Sequence, residues 1–272
     1  MTTPVVVHHV INASENLPPD APSVVLSNSL GSTYVMWDQQ IDALASHFRV
    51  VRYDIRGHGE SPVPKGPYSI DDLADDVIAL LDRLNLTRVH FVGLSIGGMT
   101  GMRLAARNPD RIDRLAVLCT SAYLDAAQAW HQRAATVRAE GTEAVADAVV
   151  SRWYTKRLAQ REPERIAAAR AMIAATPAEG YASCSEAIAE MNLTSDLASI
   201  IAPTLAIAGN EDPAIPTDHL QRIASSVQSG QYLNVADSAH LANDEQPAFI
   251  NRALVAHLTR NRVPGSESNP TG

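Results

Sequence analysis

Six short runs of consecutive apolar residues divide the chain. Each is six or seven residues long and rich in β-branched side chains, and apolar positions do not alternate with polar ones as they would in a half-buried strand. This pattern is typical of strands buried on both faces of a parallel sheet. The runs are SVVLSN (23–28), RVVRYD (49–54), RVHFVG (88–93), RLAVLCT (114–120), PTLAIAG (203–209) and GQYLNV (230–235).

Helical periodicity fills several of the intervals between these runs. In residues 69–84, apolar side chains recur on one helical face, Ser69 is suited to cap the first turn, and acidic residues follow it. That face consists of Ile70, Leu73, Val77, Leu80, Leu81 and Leu84. The alternation of strands and helices predicts an α/β fold with a mostly parallel, doubly wound sheet.

The alternation stops between residues 122 and 196, where the sequence is rich in alanine and arginine and helical throughout. We interpret this block as a helical cap inserted into an α/β core made of residues 1–121 and 197–260. Residues 261–272 are rich in Pro, Gly and Ser, and we expect a disordered tail there.

The composition restricts the class of partner. The chain has 272 residues, 46% of them hydrophobic, with a net charge of −8 and no basic run, so nucleic acid is not an expected partner. An anionic substrate would need a cation inside its own site.

No segment is long enough to span a membrane or resembles a signal peptide, and Cys119 and Cys184 fit free thiols, so we expect a cytoplasmic protein. The sequence does not decide between a monomer and a homo-oligomer.

Candidate chemistry begins at FVGLSIGGMTG, residues 91–101. Gly93 to Gly97 match the pattern G-x-S-x-G, directly after a buried strand and before a helix predicted to start near Gly98. A turn this tight holds its serine in strained backbone angles at a helix N-terminus, where negative charge is stabilised. Ser95 is therefore the candidate nucleophile, and the alternative is an ordinary loop of small residues.

A serine nucleophile needs a base, and the base needs an orienting acid that precedes it in the chain. Strand PTLAIAG leads into Asp212, our candidate acid, with neighbouring Glu211 as its rival. His240 follows the final predicted strand and is the candidate base. His219 and His257 lie in predicted helices, where we expect a solvated role for the first and packing or surface for the second.

Two backbone amides are candidates for the oxyanion hole. One belongs to Ile96, the residue after the nucleophile. The other belongs to Leu30, in the small, polar loop that follows the strand SVVLSN. A further polar segment, DIRGHGES (54–61), carries His58, but His58 precedes Ser95, so we interpret this segment as a structural turn that hydrogen-bonds to neighbouring loops.

These segments resemble 3-oxoadipate enol-lactonases of the α/β-hydrolase superfamily. The serine turn and the DIRGHG segment are general to the superfamily, whereas the SNSLG loop, the RWYT cap motif and GYASCSEAI are more specific to the enol-lactonases. The similarity extends from about residue 22 to 258.

The resemblance implies that Ser95, His240 and Asp212 form a catalytic triad that opens a five-membered enol-lactone with a carboxymethyl arm. Such chemistry needs no metal or organic cofactor. Among the cap arginines Arg133, Arg138, Arg152 and Arg157, we favour Arg133 as the ligand of the arm carboxylate, and Trp153 as part of the pocket wall. The alternatives are a general carboxylesterase or lactonase, a cofactor-free perhydrolase, and a non-catalytic binding protein of the same fold.

Overall fold

A computed structural model describes residues 3–260 of the chain. Seven strands in this part of the chain form a single sheet in the order β1-β3-β2-β4-β5-β6-β7. The strands are β1 (His9–Asn12), β2 (Ser23–Ser27), β3 (Arg49–Tyr53), β4 (Val89–Leu94), β5 (Ile112–Leu118), β6 (Thr204–Gly209) and β7 (Gly230–Val235). All neighbouring strands run parallel except β1, which is antiparallel to β3.

The six predicted strands are confirmed, and the mostly parallel sheet follows the predicted fold class. Strands β2, β4 and β6 are buried along their whole length, as their continuous apolar sequences indicate. β1 was not predicted, and it adds an antiparallel strand at one edge of the sheet, where His9 pairs with Tyr53.

Eleven α-helices accompany the sheet in the described residues. Six belong to the core: α1 (Ile41–Ala45), α2 (Ile70–Arg83), α3 (Ile96–Arg107), α9 (Thr217–Ser226), α10 (Ala242–Glu245) and α11 (Pro247–Leu258). None of the helices in this part of the chain is long and apolar enough to cross a membrane.

Helix α2 shows how closely local sequence determines an element. The hydroxyl of Ser69 accepts a hydrogen bond from the Asp72 amide at 3.1 Å, and the Asp72 carboxylate accepts one from the Ser69 amide at 2.9 Å. This reciprocal pair satisfies two amides that have no partner inside the helix. The helix then buries the apolar face that includes Leu73, Val77 and Leu80.

The remaining five helices lie between β5 and β6 and form the cap: α4 (Ala127–Glu140), α5 (Glu143–Trp153), α6 (Lys156–Arg161), α7 (Pro163–Ala174) and α8 (Ala178–Glu190). A backbone bridge between Tyr123 and Asn192 joins the two ends of this insertion. The backbone of the cap contacts the backbone of the core directly at Gly180 and Gly57. A Cβ on Gly180 would lie 2.0 Å from the Gly57 carbonyl oxygen, so the contact requires glycine there.

Candidate active site

Ser95 lies on a strained turn between β4 and α3. Its φ of 57° and ψ of −120° fall in a region that non-glycine residues rarely occupy. The Ser95 amide donates to the Leu118 carbonyl oxygen at 2.9 Å, which ties the turn to the end of β5. Helix α3 begins at Ile96, two residues before the predicted start near Gly98, so the serine immediately precedes the helix N-terminus.

The glycines on both sides of Ser95 make this turn feasible. A Cβ on Gly93 would lie 2.2 Å from the Gly97 carbonyl oxygen, and one on Gly97 would lie 2.3 Å from the Ser27 carbonyl oxygen. These distances are shorter than any van der Waals contact, so larger residues would push α3 away from the sheet. The G-x-S-x-G pattern therefore has a steric cause in this chain.

His240 and Asp212 form a buried hydrogen-bonded pair at the carboxyl-terminal edge of the sheet. His240 Nδ1 lies 2.8 Å from Asp212 Oδ2, and the Asp212 side chain is fully buried. The other carboxylate oxygen accepts the amides of Ala214 at 2.8 Å and Ile215 at 3.1 Å. With Nδ1 donating to Asp212, Nε2 of neutral His240 is the acceptor, as a general base requires.

The loop that carries His240 is attached to the cap. The Glu245 carboxylate accepts the Ala239 amide at 3.0 Å on one side and both the amide and the hydroxyl of Thr155 on the other. The Leu241 amide donates to the Trp153 carbonyl oxygen at 2.9 Å. The RWYT motif of the cap therefore holds the residues on both sides of His240.

The loop after β2 presents a free backbone amide beside Ser95. Asn28 fixes this loop, since its side-chain amide donates to the Tyr53 carbonyl oxygen at 2.8 Å and its oxygen accepts the Trp37 indole N–H at 3.1 Å. Within residues 3–260, the amides of Leu30 and Ile96 have no hydrogen-bond partner. Both are thus available as donors, as an oxyanion hole requires.

His58 supports this loop rather than the nucleophile. Its Nε2 accepts the Gly31 amide at 2.9 Å, and its Nδ1 lies 3.3 Å from the Arg56 carbonyl oxygen, to which it must donate. Burial lowers the pKa of His58 to about 4, so the ring is neutral at pH 7 and keeps this donor and acceptor pattern. The interpretation of DIRGHG as a structural turn is confirmed.

Ser95 and His240 line one cavity of about 230 Å³ between the core and the cap. Their side chains make no direct hydrogen bond in the described part of the chain, a separation common in catalytic pairs without substrate. The cavity wall is mostly apolar. It includes Met99, Leu124, Trp130, Val149, Trp153, Ile188 and Ile215.

Two of the four candidate arginines of the cap reach this cavity. Arg133 and Arg152 line it, and the Arg133 guanidinium carbon lies 4.4 Å from the centre of the Trp130 ring. The other two are paired with carboxylates: Arg138 with Glu179 and Glu186, and Arg157 with Asp237.

The remaining acid and histidine candidates do not belong to the triad. Glu211 is exposed beside buried Asp212, so the structure favours Asp212 as partner of His240. His257 packs in the core, with Nε2 3.0 Å from the Leu115 carbonyl oxygen, as expected. His219 differs from expectation, because it is half-buried and its Nδ1 lies 2.7 Å from the Ser121 hydroxyl.

Sequence reasoning missed three residues around the site: Glu245, Thr155 and Tyr181. The RWYT and GYASC motifs carry two of them, but their partners are distant in the chain. No group of three or more metal-ligating side chains occurs among the residues that the structure describes.

Comparisons with known proteins agree with this architecture. A sequence profile of the alpha/beta hydrolase fold family matches residues 22–247. The 3-oxoadipate enol-lactonase 2 of Acinetobacter baylyi is 40% identical over 241 residues, which are 89% of this chain and 90% of that protein.

Solved structures extend the likeness to three dimensions. The enol-lactonase of Burkholderia xenovorans is 41% identical with a TM-score of 0.90, covering 93% of this chain and 96% of that one. An esterase of Thermogutta terrifontis is 28% identical with a TM-score of 0.86, covering 92% of each chain. The chain therefore belongs to the alpha/beta hydrolase fold family, and its resemblance to the 3-oxoadipate enol-lactonases is confirmed.

Proposed function

We propose that this enzyme is a serine hydrolase that opens the ring of 3-oxoadipate enol-lactone to give 3-oxoadipate, a step in the catabolism of aromatic compounds. The proposal rests on one observation. The strained Ser95 lines the same small, mostly apolar cavity as Arg133, which forms no ion pair with a carboxylate in residues 3–260. Such a cavity suits a compact, largely apolar ester that carries one negative charge.

The reaction begins at the lactone carbonyl. Ser95 Oγ attacks the carbonyl carbon while His240 Nε2 accepts the hydroxyl proton, and buried Asp212 stabilises the imidazolium that forms. The amides of Leu30 and Ile96 hold the oxyanion, and each such donor lowers the barrier by about 3–4 kcal/mol.

Collapse of the tetrahedral intermediate breaks the bond between the carbonyl carbon and the ring oxygen. The electron pair of that bond goes to the ring oxygen, which leaves as an enolate. The proton from His240 is then added to the enolate carbon, and the C–O group becomes a ketone. Water then attacks the acyl-enzyme with His240 again as the base, which frees Ser95 and the new carboxylate.

The cap supplies binding and selectivity in this scheme. Arg133, placed over Trp130, would hold the carboxylate of the substrate arm, and Trp153 would form part of the wall against the ring. The expected partner is thus a small anionic lactone, with no nucleic acid or membrane involved.

A substrate panel tests the function. We expect kcat/KM for the carboxymethyl enol-lactone to exceed that for p-nitrophenyl acetate by at least about 100-fold, since only the lactone engages both the triad and the arginine. The reverse ranking would instead support a general carboxylesterase, the activity that the mostly apolar wall and the 28% identical esterase relative favour. Formation of peracids from carboxylic acids and peroxide would support the perhydrolase alternative.

We also propose that the enzyme acts in the cytoplasm. Cys119 and Cys184 are both free and buried, a state that a reducing compartment maintains.

A further inference from the structure

The cavity holds one more positive charge than the arm of the proposed substrate requires. Arg133 and Arg152 both line it, and neither forms an ion pair with a carboxylate among residues 3–260. The Nε of Arg152 donates only to a backbone oxygen of its own helix, that of Ala148, at 3.1 Å. The guanidinium group is therefore held in place without being neutralised.

Arg133 is close enough to Arg152 to act against the positive charge of Arg152. Burial lowers the pKa of Arg152, and the positive charge of Arg133 lowers it further. A folded protein gains nothing from two neighbouring, half-buried cations unless anions bind between or beside them. Their arrangement therefore indicates negative charge on a bound molecule.

A buried hydroxyl also faces this cavity. Tyr181 lines the cavity and is fully buried, yet its hydroxyl has no hydrogen-bond partner in the described part of the chain. Burial raises the pKa of Tyr181, and the charge of Arg133, its approach to the Tyr181 hydroxyl and the more distant charge of Arg152 oppose that rise. Because a guanidinium can only donate, Arg133 leaves the Tyr181 hydroxyl proton available for an anion in the cavity.

Arg152 lies close to the catalytic pair. The next residue, Trp153, accepts the amide of Leu241, which in turn follows His240. The negative charge of Asp212 also raises the pKa of Arg152, against the larger effect of burial. Arg133 lies instead on α4 against Trp130.

The charge of the substrate changes during the reaction in a way that matches this arrangement. The bound lactone carries one charge, on its arm, and ring opening creates a second on the departing enol oxygen. We propose that Arg152 is a catalytic residue that stabilises the negative charge on this oxygen as the ring C–O bond breaks, while Arg133 holds the arm. Arg152 stays protonated, and the proton that reaches the enolate is still the one from His240.

This assignment rests on the proposed lactonase function, and it is tested with three substrates. The carboxymethyl enol-lactone has both the arm and the enol leaving group. α-Angelica lactone has the same enol leaving group with a methyl group in place of the arm. p-Nitrophenyl acetate has neither, and its leaving group needs little stabilisation.

We expect Arg152→Gln to lower kcat by about 100-fold on both enol-lactones and far less on p-nitrophenyl acetate. Arg133→Gln should chiefly raise KM for the carboxymethyl lactone, with a much smaller effect on α-angelica lactone. Arg161→Gln is the matched control, because Arg161 is an exposed cap arginine paired with Glu162, and it should behave as the unmodified enzyme on all three substrates.

Two results would overturn the role of Arg152. A loss confined to the carboxymethyl lactone would make Arg152 a second ligand of the arm, and an equal loss on all three substrates would make it a structural residue. A wrong substrate assignment would give a different result. The unmodified enzyme would then open α-angelica lactone but not the carboxymethyl lactone. In that case the rate of Arg152→Gln on α-angelica lactone still decides the role of Arg152.

Discussion

At the scale of single residues, the order of Ser95, Asp212 and His240 in the chain predicted the candidate triad, but sequence could not separate Asp212 from its neighbour Glu211. The structure distinguishes them physically. Asp212 is buried and accepts two backbone amides besides pairing with His240, whereas Glu211 points to the exposed side of the same loop.

The Asp212→Asn substitution should lower kcat for lactone opening by roughly 10³- to 10⁴-fold, because an amide cannot stabilise the imidazolium or fix the tautomer of His240. Glu211→Gln, a matched change one residue away, should stay within about twofold of the unmodified enzyme. The check is the steady-state rate of both purified variants on the carboxymethyl enol-lactone. Comparable losses in the two would refute Asp212 as the partner of His240.

Which cap arginines face the cavity could not be predicted from the sequence. Arg133, Arg138, Arg152 and Arg157 occur in similar helical contexts, so no local signal separates those that face the cavity from those that form ion pairs. Acids far along the chain decide this, as Glu179 and Glu186 do for Arg138. Such pairings depend on how cap helices pack, which short-range patterns do not encode.

At the scale of elements, continuous apolar runs were a sufficient signal for the buried strands, and Ser69 with its acidic first turn was sufficient for α2. β1 could not be predicted because it has only four residues, HVIN, which are mostly half-buried. Its partner β3 lies about 40 residues away, so its formation depends on the edge of an existing sheet rather than on its own pattern.

The RWYT segment of the cap is attached to the loop that carries His240. Thr155 donates its hydroxyl to the Glu245 carboxylate, which also holds the Ala239 amide. This connects the start of α6 directly to the residue before the catalytic base.

Thr155→Val keeps the shape of the side chain but removes that donor and also the oxygen that caps α6 by accepting the Leu158 amide at 3.2 Å. It should therefore lower the free energy of unfolding by about 1–3 kcal/mol and reduce kcat several-fold. Thr194→Val, at an exposed position, is the control and should change neither. Urea unfolding and steady-state rates provide both readouts. Unchanged kcat in a destabilised Thr155→Val variant would show that the attachment serves folding alone.

At the scale of the whole molecule, an acidic chain with a net charge of −8 keeps two uncompensated cations in its cavity. Three of the buried histidines add a second feature of the global charge balance. Burial lowers the pKa of His58, His90 and His257 to about 4, well below the ordinary value of 6.5. Near His90 the charges of Asp113, Arg88 and Arg114 act as well, with smaller effects than burial.

These histidines should make the protein less stable in weak acid. Below pH 6.5 the unfolded chain binds protons at these positions while the folded protein does not, so the stabilisation is complete above pH 6.5 and is lost as pH falls to about 4. Each histidine contributes a slope of up to about 1.4 kcal/mol per pH unit within that range.

Urea unfolding at several pH values between 7 and 4 measures this slope. His90→Gln should make it shallower, whereas His47→Gln, at an exposed histidine, should leave it as in the unmodified protein. A free energy of unfolding that stays constant from pH 7 to pH 5 would contradict the buried, neutral state of these rings.

In the proposed mechanism Ser95 opens the lactone by covalent catalysis, and the rate of the Ser95→Ala variant on the carboxymethyl enol-lactone measures its contribution. Because Ser95 is the attacking group, we predict a loss in kcat of at least about 10⁴-fold, with circular dichroism and unfolding like those of the unmodified enzyme. A folded Ser95→Ala variant that opened the lactone at the rate of the unmodified enzyme would contradict covalent catalysis by Ser95.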